Sequence, residues 1–317
     1  MTSSPSVLVL AGGISHERDI SLRSGRLVAD GLEATGVSVQ IADPDATLVE
    51  RLRSEKPDVV WPVLHGASGE DGALRSLLEM MGIHYVGSPS AATRLAWDKP
   101  SAKTLVERVG VHTPESISLS RDAFRELGAE SVLGVVSDTL GFPVVIKPAR
   151  GGSAQGVSWV SSTEELRRAM VHAFTYSDDA LIERQIVGTE ICVGIIDTGD
   201  GPIALPSVEI EPVSGHYTFE ARYTAGETRF YSPARRDSDV LESAAAEALR
   251  AHETLGLRDL SRVDFIVDKK GTAWFLEASV MPGLTETSTV ALALDQAGYD
   301  VGGVYRALAE QVYQRTI

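Results

Sequence analysis

Apolar residues recur along the first part of the chain in two alternating patterns. Val7–Ala11, Val37–Ile41 and Val59–Leu64 are apolar runs of strand length, each bounded by turn residues. Between the first two, a polar stretch at Ser15–Arg23 leads into helix spacing with Leu22, Val28 and Leu32. Ala73–Met81 places apolar residues at 73, 74, 77, 78 and 81, one face of an amphipathic helix. Strand and helix in alternation predict a parallel sheet covered by helices. This first unit is expected to end near Gly87-Ser88-Pro89.

The pattern then changes. Ala91–Gly110 reads as one helix, followed by a strand at Val144–Lys147, a glycine loop and a strand at Val157–Val160. Ser162 and Glu165 form a capping box before a helix carrying Leu166, Ala169, Met170 and Ala173. From about Leu181 the chain is rich in strands, at Leu181–Gln185, Glu190–Ile196, Leu205–Ile210, Val263–Val267 and Ala273–Ala278, with a helix at Ser238–Leu255. No internal repeat and no low-complexity segment is present.

Composition narrows the class. The 317 residues are 43% hydrophobic and 23% charged, ordinary globular usage. Length alone suggests about two domains of ~150 residues. No run approaches the ~18 apolar residues of a membrane span, and Met1–Pro5 lacks the positive region of a signal peptide, so a cytoplasmic location is expected. The net charge of −15 argues against a nucleic-acid partner. It does not exclude an anionic small molecule held by a few local cations or by Mg²⁺. The single cysteine, Cys192, excludes an internal disulfide and any paired-cysteine metal motif.

Only six of the 29 basic residues are lysines, so Lys147, in the apolar run Val144-Val145-Ile146-Lys147-Pro148, stands out. It precedes Arg150-Gly151-Gly152-Ser153-Ala154-Gln155-Gly156, where glycines let backbone N–H groups approach an anion. The loop also reads as a plain hairpin turn. It is neither a Walker A loop nor a dinucleotide fingerprint.

A second constellation is Arg262-Val263-Asp264 with Glu277-Ala278-Ser279. Strand alternation about a two-residue loop at Lys269-Lys270 places Arg262 opposite Glu277 and Asp264 opposite Phe275. Arg262, Asp264, Glu277 and Ser279 then share one face. Adjacent carboxylates call for a cation, and Mg²⁺ takes hard oxygen ligands while keeping substrate phosphates in its shell. A surface ion pair on a half-exposed hairpin is the alternative. Met281 through Ser288 follows as a polar loop. Glu17 and His65-Gly66 each lie just past a strand end, where an open α/β sheet places its ligands. Trp97 and Trp274 read as core or interface aromatics.

In this order the pieces resemble D-alanine–D-alanine ligases of the ATP-grasp superfamily. The carrying residues are Gly12-Gly13-Ile14-Ser15-His16-Glu17-Arg18, Leu64-His65-Gly66 through Gly72, Asp98-Lys99, Ile146-Lys147-Pro148, Glu183 through Glu190, Phe219-Glu220-Ala221-Arg222-Tyr223, and Arg262 through Ser288. The resemblance spans nearly the whole chain. It implies α/β and α+β architecture: an N-terminal parallel α/β (pre-ATP-grasp) domain at 1–89, then a two-lobed ATP-grasp fold. The central lobe is expected at 90–182 and the C-terminal lobe at 183–317.

The implied reaction joins two D-alanines for cell-wall peptidoglycan precursors through a D-alanyl phosphate and a tetrahedral intermediate, with ATP as the phosphoryl donor. By resemblance Lys99, Lys147 and Arg222 meet phosphates, Glu183 and nearby backbone adenine, and Glu190 ribose. Asp264, Glu277 and Ser279 hold two Mg²⁺ ions, or Mn²⁺ in their place. Arg262 faces the oxyanion, and Glu17 the first D-alanine's ammonium, with Ser153 and Tyr223 closing the site. His65, Gly283 and Ser288 contact substrate. A homodimer through the N-terminal domain is also implied.

The chain departs from the family pattern in three places: Ser279 for Asn, Arg222 for Lys, and the pair Thr289-Val290 after Ser288. They leave open an ATP-grasp ligase with another amino acid acceptor. A nucleotide-binding homologue without catalysis is the further alternative, disfavoured by the presence of Lys147, Arg262, Asp264 and Glu277.

Overall fold

The computed structural model describes residues 4–316; Met1–Ser3, part of the stretch read above for a leader, lie outside the described residues. The N-terminal unit runs β1 (Ser6–Ala11), α1 (Arg18–Ala34), β2 (Ser38–Ala42), α2 (Leu48–Glu55) and β3 (Val59–Val63). All pairings are parallel, in the order β2-β1-β3, with Val7 beside both Val39 and Val59. Parallel neighbours need a crossover, which α1 and α2 supply. The continuous apolar runs of β1 and β3 follow from burial on both faces. Gly25 lets α1 lie directly on β1, since a Cβ there would collide with Ala11.

Four helices follow: α3 (Ala67–Glu70), α4 (Ala73–Met80), α5 (Ser90–Trp97) and α6 (Lys99–Arg108). The single helix expected over Ala91–Gly110 is therefore two. Asp98 leaves helical geometry at φ −91°, ψ 95° and caps α6 by accepting from the Ser101 N–H at 3.0 Å. Pro100, in the first turn of α6, has no N–H to continue the α5 ladder.

The next sheet comprises β4 (Ser116–Ser120), β5 (Val144–Pro148), β6 (Ser158–Val160) and β7 (Asp179–Arg184), antiparallel in the order β4-β7-β5-β6. Helices α7 (Arg121–Glu126), α8 (Ala129–Leu140) and α9 (Thr163–Ala173) cover it. β4, α7 and α8 were not expected. The capping box ahead of α9 is not made: the Ser162 side chain makes no cap bond, and Glu165 reaches past Ser162 to accept from the Ser161 N–H at 2.8 Å.

The last sheet contains β8 (Gly188–Ile196), β9 (Ile203–Ala204), β10 (Val208–Pro212), β11 (Thr228–Tyr231), β12 (Leu260–Asp268) and β13 (Ala273–Ser279). Its order is β11-β10-β8-β12-β13, with β9 also on β8 and every pair antiparallel. The strand expected at Leu205–Ile210 starts only at Val208, after Pro206. Helices α10 (Phe219–Tyr223), α11 (Ser238–Thr254), α12 (Thr289–Gln296) and α13 (Val301–Gln314) complete the chain.

The fold is the mixed α/β and α+β architecture expected, but the hydrophobic cores cross the expected boundaries. Ala92, Ala96, Ala102 and Val106 of α5 and α6 pack with Ala244, Ala248, Val263 and Phe275, so these helices belong to the core of the six-stranded sheet. The boundary placed at 182 falls inside β7; the chain changes sheets between Arg184 and Gly188. Val304, Tyr305 and Leu308 of α13 return to the first sheet, where Tyr305 meets Trp61 edge to face at 5.4 Å. The four-stranded sheet keeps a core of its own, around Ile146, Leu166 and Ile182, and so does one face of the three-stranded sheet, around Leu8, Leu10 and Leu52.

Candidate active site

A cavity of about 460 Å³ lies between the four-stranded and six-stranded sheets, lined by Lys99, Lys147, Glu183, Glu190, Arg222, Asp264 and Glu277. Lys147 projects from β5 onto Glu183 of β7, Nζ to Oε1 at 2.5 Å. The other Glu183 oxygen accepts from Lys103 at 2.6 Å. Burial works to raise the Glu183 carboxyl, but Lys147 and Lys103 outweigh it and hold it below the usual carboxylate range. Each oxygen thus accepts from one lysine while Glu183 still lines the cavity, together with Gln185, Ile186 and Val187. Burial pushes Glu190 up to about 7.

The β12–β13 hairpin carries the acidic end. Arg262 pairs with Ser279 and Asp264 with Glu277, not with Glu277 and Phe275 as expected. Two displacements account for the difference. The turn spans three residues, with Val267 opposite Ala273, and Leu276 is an unpaired bulge between Phe275 and Glu277. Each displacement alone would invert the face; together they preserve it. Arg262, Asp264, Glu277 and Ser279 therefore do share one side.

On that side Arg262 grips Asp264 at two points, Nε–Oδ1 2.6 Å and Nη2–Oδ2 2.7 Å. Lys99 reaches Glu277 at 3.1 Å and the Gly151 carbonyl at 2.6 Å. Burial opposes ionisation of Glu277, but Lys99, Lys147, Arg222 and Arg262 together bring it down to about 2. No group of three His, Cys, Asp or Glu side chains converges as a closed metal cage among the described residues. Two cross-strand carboxylates beside a nucleotide-sized cavity do fit Mg²⁺, which takes one or two carboxylates and completes its shell with phosphates and water.

A second cavity, of about 260 Å³, adjoins the first. Glu17, His65, Ser153, Tyr223, Arg262, Ser279, Gly283 and Ser288 line it. Three segments distant in sequence meet there. Glu17 Oε1 accepts from Ser153 Oγ and, at 3.0 Å, from the Tyr223 hydroxyl; the two hydroxyls lie 2.6 Å apart. Ser153 sits at φ 51°, a left-handed conformation that is costly without glycine and is held here by these bonds. Tyr223 arrives on α10, whose N-terminus is capped by Thr218 accepting from the Ala221 N–H at 3.2 Å. Burial and then Glu17 raise the Tyr223 phenol, so it keeps its proton. Arg222, beside it, lies 4.0 Å over the Tyr217 ring, with its buried Nε unpartnered.

His65 is 5% exposed, and burial lowers its pKa, so the ring is neutral at neutral pH. It hydrogen-bonds the Met281 backbone, and its Nε2 is left without a protein partner. Gly283 admits Ser288 closely: a Cβ at Gly283 would lie 2.9 Å from Ser288 Oγ. Thr285 holds the Ser288 hydroxyl from two sides, by its N–H at 3.0 Å and its own hydroxyl at 2.7 Å.

All the residues given a catalytic, nucleotide, substrate or metal role from the sequence thus line one or both of two adjoining cavities. Two that sequence reasoning did not place there, Glu70 and Trp97, also line the second cavity, and a third, Lys103, stands directly behind the first. Lys103 stands four residues after Lys99 on α6, which the scarcity of lysine could have flagged. Glu70 lines the second cavity, and burial, with Glu17 adding, pushes it up to about 8. Trp97, read as a core or interface aromatic, forms part of the same wall.

Family models described as D-ala D-ala ligase N-terminus and D-ala D-ala ligase C-terminus match residues 42–88 and 105–310. A D-alanine--D-alanine ligase of Anaeromyxobacter sp. (strain Fw109-5) is 39% identical over 284 residues, 90% of this chain and 89% of that one. One from Geobacter sulfurreducens is 39% identical over 291 residues, 92% and 88%. Among solved structures, the VanG D-Ala:D-Ser ligase from Enterococcus faecalis has a TM-score of 0.84 at 26% identity, covering 98% of this chain and 100% of its own. A D-alanine--D-alanine ligase from Bacillus anthracis complexed with ATP has a TM-score of 0.78 at 25% identity, covering 97% and 96%. With both family models matched in order and near relatives aligned over nine-tenths of its length, the chain belongs to the D-alanine–D-alanine ligase family.

Proposed function

We propose that this chain joins two D-alanines into D-alanyl-D-alanine with conversion of ATP to ADP and phosphate, supplying peptidoglycan precursor synthesis. The observation that carries the reading is that Lys99, Arg222 and Glu277 line both cavities. A nucleotide in the larger cavity and an amino acid in the smaller one meet at these three groups. Phosphoryl transfer needs in-line positioning and charge neutralisation more than covalent help from the protein, and two cations and a carboxylate stand at the junction.

In this reading the Gln185–Val187 backbone receives adenine and Glu190 the ribose. Lys99, Lys147 and Arg222 neutralise the phosphates. Asp264, Glu277 and Ser279 would hold two Mg²⁺ ions, or Mn²⁺, which would supply charge neutralisation for the phosphates. Glu17 takes the ammonium of the first D-alanine, which presents its carboxylate to the γ-phosphate. A carboxylate oxygen bonds to phosphorus as the bond to ADP breaks. The amine of the second D-alanine then attacks the acyl carbon and expels phosphate, losing a proton. Arg262 stabilises the oxyanion of the tetrahedral intermediate. Gly283 and Ser288 orient the second D-alanine, and neutral His65 offers Nε2 to substrate. Ser153 and Tyr223 close the chamber against water, which would hydrolyse the acyl phosphate.

A second reading, a different acceptor such as D-serine, is motivated by Thr289, whose position lines the second cavity beside Ser288. Product mass from parallel reactions with D-alanine alone and with D-serine, D-lactate or L-alanine added separates the two. ADP formation that depends on D-alanine and yields the dipeptide supports the first. Product only with an added acceptor moves the chain to the second. ATP binding without ADP in any mixture rejects both.

The chain also fits a cytoplasmic homodimer of 33.9 kDa subunits. Among the described residues no helix is long and apolar enough to cross a membrane. Light scattering on a sizing column tests the assembly; a mass near one subunit rejects it.

A further inference from the structure

Lys103 stands behind the nucleotide cavity rather than in its wall. Lys99, Lys147 and Glu183 line the cavity and Lys103 does not. It is 4% exposed, on the face of α6 that also carries Lys99, four residues earlier. Asp98, capping α6, and the packing of Ala102 and Val106 fix where that face points. Lys99 reaches the Glu277 side of the cavity, and Lys103 reaches Glu183 at 2.6 Å.

Glu183 therefore lies between two ammonium groups, Lys103 on Oε2 and Lys147 on Oε1. A carboxylate buried this far with no cation beside it is a stranded charge, which is strongly unfavourable. If Lys147 were its only partner, each move of Lys147 toward a phosphate would strand Glu183. With Lys103 present, one counter-ion stays when the other is engaged elsewhere. Burial lowers the Lys103 pKa and Lys147 adds to that effect, while Glu183 opposes it; the three groups are one electrostatic unit.

We propose that Lys103 is a positioning residue for nucleotide binding: as the standing counter-ion of Glu183, it releases the Lys147 ammonium to the phosphates of ATP. This rests on the reading of Lys147 as a phosphate ligand. Removing Lys103 leaves Glu183 to capture Lys147, weakening the part of nucleotide affinity that comes from phosphate and sparing the part that comes from adenine and ribose.

The test compares dissociation constants for ATP and adenosine in the full-length protein and its variants. Lys103→Met is expected to weaken ATP by about tenfold or more, the worth of one weakened charge-assisted contact, with adenosine unchanged. Adding Glu183→Gln removes the competing carboxylate and is expected to restore the ATP-to-adenosine ratio. Lys103→Arg, which keeps the charge, is expected to hold the ratio near that of the parent. Should Lys103→Met fail to fold, the Lys103→Met/Glu183→Gln pair, which leaves no buried carboxylate short of a cation, is compared with Glu183→Gln alone, and equal ratios are expected. A parallel loss of ATP and adenosine, an unchanged ratio in Lys103→Met, or no restoration by Glu183→Gln overturns the proposal. Lys147→Met is the control for the underlying reading: if its ratio matches the parent, Lys147 does not serve the phosphates, and the reading fails independently of Lys103.

Discussion

Arg262 and Asp264 stand two residues apart on one strand, and each satisfies the other through a two-point ion pair of 2.6 and 2.7 Å. Both are almost wholly buried, with side-chain exposures of 16% and 6%. Burial works against the Arg262 charge, but Asp264 outweighs it and keeps the guanidinium protonated throughout the working range. The pair thus stores a fixed positive group on the wall shared with the substrate cavity. It also means that a cation bound at Asp264 shares that carboxylate with Arg262.

From this follows the first prediction. Arg262→Ala should lower turnover by roughly 10²- to 10³-fold, the usual loss for an oxyanion donor, while ATP affinity changes little. Turnover and nucleotide binding measured on the same preparation check it. Near-normal turnover removes Arg262 from the transition state.

Tyr223→Phe deletes one hydroxyl that bonds both Glu17 and Ser153. A bond to a charged group is worth about 1.5–3 kcal/mol, so kcat/KM for D-alanine should fall roughly 10- to 100-fold. ATP affinity should hold, because Tyr223 lines only the second cavity. Equal losses for both substrates would mean that the variant unseats α10 as a whole.

Much of this site is legible in the sequence because strand periodicity and a few polar residues at strand ends carry it. Glu17 and His65 follow apolar strands, and Arg262, Asp264, Glu277 and Ser279 alternate. The β12–β13 register was not legible. The bulge at Leu276 breaks the count, and nothing in a Leu between Phe275 and Glu277 announces it. The division of α5 from α6 was partly visible in Asp98 and Pro100 but was overridden by the continuous apolar spacing. Short polar elements such as β4, Ser-Ile-Ser-Leu-Ser, are set by their partner strand β7 rather than by their own composition. The sharing of cores between distant segments, as with Trp61 and Tyr305, has no local signal at all.

Ser279 lies across from Arg262 at the end of the acidic strand. A hydroxyl reaches less far than an amide carbonyl. Ser279→Asn should preserve activity and lower the Mg²⁺ concentration needed for half-maximal rate. An unchanged Mg²⁺ titration would show that residue 279 does not limit metal binding.

His252 is buried on α11, Nδ1 2.8 Å from Ser261 Oγ, and burial brings its pKa down to about 4 despite the opposing influence of Asp197. Between pH 6.5 and 4 the unfolded imidazole binds a proton that the folded one refuses. Stability contributed by this group is therefore complete above pH 6.5 and is lost as pH falls toward 4. The full effect is roughly 3 kcal/mol. His252→Asn keeps a polar atom near Ser261 without the titration. Denaturant melts at pH 7 and pH 4.5 should show the parent losing more stability than the variant. Equal losses would mean that His252 does not couple to folding in this range.

The central claim is that the two cavities meet where ATP phosphorylates a D-alanine carboxylate. D-alanine labelled with ¹⁸O in its carboxylate tests it directly, with the released phosphate and the dipeptide analysed by mass. The account predicts one ¹⁸O in each phosphate released with D-alanyl-D-alanine, because the carboxylate oxygen leaves with the phosphoryl group. Unlabelled phosphate accompanying dipeptide formation would contradict it, since the oxygen would then have come from water and no acyl phosphate would have formed.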